Sequence, residues 1–146
     1  LMVPLWSKLQ SSKDAQLAAI AAKSFKEVRY HLRHSRDWLV RMGDGTAESH
    51  ERAQRALNHF MPFVQEFWTH SDMEAAAAAA GVGFDVRALQ GDFDTMLNEA
   101  LAEATLQRPA AGGYVTTGKH GVHSEHLDFV LSEMQSLARA HPEAVW

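Results

Sequence analysis

The 146-residue sequence has no cysteine. That excludes a disulfide framework, a cysteine nucleophile and any cysteine-ligated zinc or iron–sulfur site. It suits a reducing cytosol, so a cytoplasmic setting is expected. Isoleucine occurs once, at Ile20, and there are only four prolines. The β-branched and aromatic residues that strands favour are sparse. No apolar run approaches the roughly 20 residues a membrane helix needs, so no membrane partner is expected. A basic excess is also missing: 14 Lys and Arg stand against 18 Asp and Glu, a net charge of −4. Nucleic acid is therefore not an expected partner either.

What the chain has is alanine and histidine. Its 23 alanines favour helix, and the expected class is all-α. Nine histidines raise the question of metal. Protonating all nine would carry the formal charge from −4 to +5. The length fits one helical unit, 1–146. A compact chain of this size would expose roughly 7,500 Å² to solvent.

Residues 1–10 carry Leu1, Val3, Leu5, Trp6 and Leu9 with no cap ahead of them, and read as the tail of a helix that starts outside this chain. Ser11 and Ser12 are candidate caps for a long helix running to about residue 42. Its stripe is Leu17, Ile20, Ala21, Phe25, Val28, Leu32, Leu39 and Met42, at helical spacing. Lys26, Arg29, Arg33 and Arg36 form a basic stripe opposite, read as a solvated face or a seat for an acidic partner or phosphate. Gly43 and Gly45 end the helix.

Thr46 caps a second helix, which Pro62 should break. Ser71 and Glu74 make a capping box before the alanines of 75–80. Asp85 starts another helix, with Leu89, Phe93, Met96, Leu97, Ala100, Leu101 and Ala104 at helical spacing. Residues 109–121 read as a loop with an extended piece at 114–117. The last helix spans about 124–140, capped by His123 or Ser124, with Leu127, Val130, Leu131, Met134 and Leu137 facing inward.

Three constellations carry possible chemistry. Gly113 to Gly118-Lys119-His120 approximates a phosphate-binding loop, but His120 stands where magnesium needs Ser or Thr, and no buried strand precedes it. His120, His123 and His126 recur every third residue, a zinc or iron triplet if one helix carried all three. Gly118 and Gly121 interrupt such a helix. Glu27, His31 and His34 lie within about 60° of one another on the long helix, leaning toward a bundle interior. Di-iron bundles require Glu-x-x-His on two helices. No histidine here has Glu or Asp three positions earlier, and Tyr30 occupies the position Glu27 would need. Glu27, Tyr30, His31 and His34 therefore read as a satisfied polar cluster inside a bundle rather than a working iron site. No catalytic or cofactor-binding residue is expected. An independent histidine-based metal-binding protein and a generic helical interaction module stay open as alternatives.

Residues 23–60, KSFKEVRYHLRHSRDWLVRMGDGTAESHERAQRALNHF, and residues 112–146, GGYVTTGKHGVHSEHLDFVLSEMQSLARAHPEAVW, are distinctive. Together they resemble the structural C-type subunits of the bacterial phenylacetyl-CoA ring epoxidase, a multicomponent monooxygenase of aerobic phenylacetate degradation. The resemblance covers essentially the whole chain, which looks like the C-terminal part of longer family members. It implies a ferritin-like bundle. It also implies a di-iron centre in a partner A subunit, none in this chain, and a scaffolding role without an active site. Ring epoxidation with oxygen, and electrons from NADPH through a separate reductase, would belong to the assembled enzyme. Residues 1–10 would end the third bundle helix and 13–42 would form the fourth. Self-association, or pairing with the missing N-terminal part, follows as an expectation.

Overall fold

A computed structural model describes residues 1–69, 71–110 and 117–145. Among them the chain is all-α, apart from one isolated antiparallel bridge between Thr117 and Val122. The α-helices are α1 (Met2–Leu9), α2 (Ala15–Gly43), α3 (Ala47–Phe60), α4 (Asp72–Ala79), α5 (Gln90–Glu103) and α6 (His126–Ala140). Short 3-10 helices cover Met61–Trp68, Val86–Leu89 and Gly118–His120.

The caps explain the boundaries. Asp14, rather than Ser11 or Ser12, caps α2 by accepting from the Leu17 amide at 2.9 Å. Ser12 is used elsewhere: its hydroxyl donates to the Val82 carbonyl at 2.7 Å. Beside it the Lys13 amide donates to the Gly81 carbonyl, stitching residues 12–13 to the turn after α4. Thr46 caps α3 as its sequence position predicts. The Ser71–Glu74 capping box is complete. Pro62 ends α3, and the chain tightens into the 3-10 helix over Met61–Trp68. Asp85 caps the 3-10 turn before α5. Neither His123 nor Ser124 caps α6, whose start has no side-chain cap.

α2 is the axis, and α1, α3 and α5 all pack against it. Where α2, α3 and α5 meet, Ala53, Leu101, Ala104 and Leu106 are buried, with Leu39, Val40, Leu57 and Leu97 around them. Small side chains let these helices approach closely. The core is correspondingly thin: among the described residues no large side chain is fully buried. The chain exposes 10,355 Å², well above the compact expectation of roughly 7,500 Å².

Large apolar side chains contribute to that surface, many of them on α2 and α6. Ile20, Leu32 and Met42, expected to face inward on α2, are exposed. So are Val130, Leu131, Met134 and Leu137 of α6, with Met134 at 75 %. The pattern of an amphipathic helix is present in both, but among the described residues little packs against these side chains. Among the described residues α6 has no helix neighbour comparable to those of α2.

Candidate interaction surface

The four residues of the polar cluster do share one side of α2, but that side is open. Glu27, Tyr30, His31 and His34 are all exposed, so within this chain they are not an interior cluster. The physical reason is geometric. α3 and α5 pack on the side of α2 that carries Leu39 and Val40, and toward the cluster only the start of α1 and Met96 of α5 come near, lining an open cavity of about 300 Å³ beside His31. Without burial, Glu27 has no desolvation cost to offset, and among the described residues it forms no ion pair with His31 or an arginine.

What organises the open side is aromatic contact. Tyr30 and His34 stack, with ring centroids 6.1 Å apart. His34 meets Trp38 edge-on at 6.4 Å, and Tyr30 meets His31 edge-on at 6.2 Å. Guanidinium groups cover the same rings: Arg33 lies 5.5 Å from the Tyr30 centroid and Arg41 5.5 Å from that of Trp38. These are cation–π distances. Trp38 is nonetheless 51 % exposed. Ile20, Glu27, His31, Trp38 and Met42 thus form a continuous lane of mixed apolar and polar surface along α2.

The basic stripe does not stay intact. Lys26, Arg29 and Arg33 are exposed, Arg29 lying 5.8 Å over the Phe25 ring. Arg36 turns away from them and pairs with Glu103 of α5, bracing the two helices. Sequence pattern alone could not assign this partner, 67 residues distant.

The histidine triplet also separates. His120 ends the 3-10 turn, Gly121 follows in the left-handed conformation at φ +81°, His123 lies in the connecting segment and His126 opens α6. All three histidines are exposed. Among the described residues no group of three or more His, Asp or Glu is placed to hold a metal ion. The first half of the phosphate-loop-like stretch 113–120, residues 113–116, lies outside the described residues. Its lysine is described: the Lys119 ammonium contacts the Phe67 and Thr69 carbonyls at 3.3 and 3.2 Å and Glu74 Oε1 at 2.9 Å. No helix of the described residues is long and apolar enough to cross a membrane.

Comparison with known proteins decides the family. Residues 1–146 match the phenylacetic acid catabolic protein family throughout. The chain belongs to that family. Within it, 144 residues are 42 % identical to the C-type subunit of 1,2-phenylacetyl-CoA epoxidase from Escherichia coli (strain K12). The alignment takes in 99 % of this chain and 58 % of that relative. This family member therefore spans little more than half the length of the curated relative it matches, and its open apolar faces lie on a shorter stretch of sequence than that relative has.

Proposed function

We propose that the chain is part of the structural subunit of a multicomponent di-iron monooxygenase that epoxidises the ring of phenylacetyl-CoA. Its role is scaffolding: it packs against the di-iron A subunit and holds the helices that bear iron. The open lane on α2 carries this reading. Exposed apolar surface of that extent marks an interaction site rather than an ordinary solvent face. The match to the C-type subunit of the epoxidase supports the identity of the assembly.

The lane has two coverings in this proposal. Further helices of the same polypeptide complete a ferritin-like bundle over Ile20, His31, Trp38 and Met42. Glu27, Tyr30, His31 and His34 then become interior, as a remnant of an iron site. The completed bundle docks on the A subunit. Oxygen, phenylacetyl-CoA and the reductase engage the assembled enzyme, not residues of this chain.

The test is co-purification of the complete protein with a tagged di-iron subunit, followed by iron analysis of each component. Capture of the partner is expected, with all iron on the partner and no change in iron content on His31→Ala or His34→Ala. Failure to capture a di-iron subunit overturns the scaffold. Iron near one per chain in the isolated protein, lost on His31→Ala, favours an independent metalloprotein instead.

A further inference from the structure

The strongest polar cluster outside α2 joins three distant segments through one side chain. Lys119 projects from the 3-10 turn Gly118–His120 toward the junction between the 3-10 helix Met61–Trp68 and α4. Its ammonium has three N–H groups, and three acceptors meet it: the Phe67 carbonyl at 3.3 Å, the Thr69 carbonyl at 3.2 Å and Glu74 Oε1 at 2.9 Å. The first two are carbonyls at the end of a helix, where a cation is favoured. The third belongs to the capping box at the start of α4. The Lys119 amide adds a fourth bond, donating to Glu66 Oε1 at 2.9 Å. The surroundings are tight: a Cβ on Gly118 would fall 2.8 Å from Glu66 Oε1 and 3.2 Å from His123 Nδ1.

Beyond this cluster, attachment is weak. α6 has no close helix neighbour among the described residues. Between its first turns and the 3-10 helix Met61–Trp68 lies an open groove of about 630 Å³, walled by Phe63, Phe67, Val122, Leu127 and Val130. The groove is a gap where a well-packed interface would have contact, so apolar packing contributes little there.

We propose that residues 117–140 are an arm clasped to the body by Lys119, and that breaking the clasp releases the arm while the α2–α3–α5 core stays folded. The lysine of the glycine-lysine stretch is thereby a structural clasp, its three protons committed to protein acceptors rather than to a phosphate. Glu74 serves twice, closing the α4 cap and holding the clasp. The clasp stands independently of the scaffolding role, since it concerns the chain's own attachment.

Hydrogen exchange of the purified complete protein tests it. Lys119→Met removes three charge-assisted bonds and keeps much of the side chain's length. Exchange of the Lys119, His120, Gly121 and Val122 amides, and of the first turn of α6, should speed up by about tenfold or more. Amides of α2, α3 and α5 should be unchanged. Glu74→Gln, which preserves shape, should give a smaller acceleration in the same places. Ser71→Ala, which removes the cap hydroxyl and its bond to Glu74 but leaves the Lys119 bonds to the Phe67 and Thr69 carbonyls, should loosen α4 and accelerate the arm less than Lys119→Met does. Unchanged arm protection in Lys119→Met overturns the proposal. So does acceleration that is equal in the arm and in α5, because the arm would then open only with the whole molecule.

Discussion

Gly43 and Ala104 lie backbone to backbone where the end of α2 meets the end of α5. A Cβ built on Gly43 would fall 2.8 Å from the Ala104 Cβ and closer still to its carbonyl oxygen. Both residues are buried, Ala104 completely. The Gly43 carbonyl anchors the junction: it meets His50 Nδ1 at 2.7 Å and accepts from the Thr105 hydroxyl at 3.2 Å. Thr105 itself has φ +58°, a conformation costly for a β-branched residue and held here by that contact.

Gly43→Ala should therefore be destabilising although alanine is the better helix former. Overpacking of a tight core typically costs about 1–3 kcal/mol, against a helix-propensity gain of about 1 kcal/mol. A net loss is expected because the nearest neighbour is backbone and cannot step aside. Gly91→Ala in α5 is the control: nothing lies within 4 Å of the new Cβ. It should be neutral or stabilising by up to about 1 kcal/mol. Urea unfolding midpoints of the two variants should move in opposite directions.

Gln54 ties α3 to the segment after α5 in the manner of a strand pair. Its Nε2 donates to the Gln107 carbonyl at 2.8 Å, and its Oε1 accepts from the Gln107 amide at 2.8 Å. Gln54→Met removes both bonds, and the Nε2 bond to Asn58 Oδ1 at 2.9 Å, while keeping the side chain's length. A loss of about 1–2 kcal/mol in unfolding free energy is expected, with faster exchange of the Gln107 amide as the local signature. Gln54→Glu keeps the acceptor but sets a carboxylate against the Gln107 carbonyl, so it should not restore the wild-type value.

Local features are legible in the sequence because their causes are local. Thr46, Ser71 with Glu74, Asp85 and Pro62 act within one turn of where they sit, and each marks a boundary. Asp14 is not legible as the α2 cap because Ser11 and Ser12 are equally good caps by type. Their distinction lies in Val82, 70 residues from Ser12. The α2 polar cluster is legible as a shared helix face, but not as an exposed one, since periodicity reports which residues share a side and not what covers it. The same limit explains α6, whose stripe is regular and unpacked. Arg36–Glu103 and Lys119–Glu74 are hidden for a third reason: a charged side chain carries no sequence mark of its distant partner.

Acid should weaken the clasp in a definite sense. Burial pushes the Glu74 carboxyl up, but the hydrogen bonds from Lys119 and Ser71 and the Lys119 charge outweigh it and hold the group below its usual 4.5. A carboxyl with a depressed folded-state pKa contributes stability that is fully present above the unfolded value and is lost as pH falls through the folded one. The contribution should thus begin to fade near the usual carboxylate range and vanish below it. Arm-amide exchange, corrected for the intrinsic pH dependence and followed from about pH 6 to pH 3, should show an added opening in wild type that Glu74→Gln lacks. An identical profile in both proteins would remove Glu74 from the clasp.

The open lane of α2 also predicts behaviour of the 146-residue chain on its own. Ile20 and Trp38 are each about half exposed in a chain whose surface already exceeds the compact value, and burying them against another molecule is favourable at about 25 cal/mol per Å² of apolar area. Concentration-dependent association is therefore expected in sedimentation velocity. Ile20→Arg and Trp38→Arg remove lane surface without emptying the core, since neither side chain contributes to the buried cluster around Leu101. Both should shift the population toward monomer while leaving helical circular dichroism unchanged. Val122→Arg, in the groove beside α6 and away from α2, should have little effect on that association. A monodisperse wild-type monomer would show that the lane is content in water, and would take away the packing argument for a covering partner.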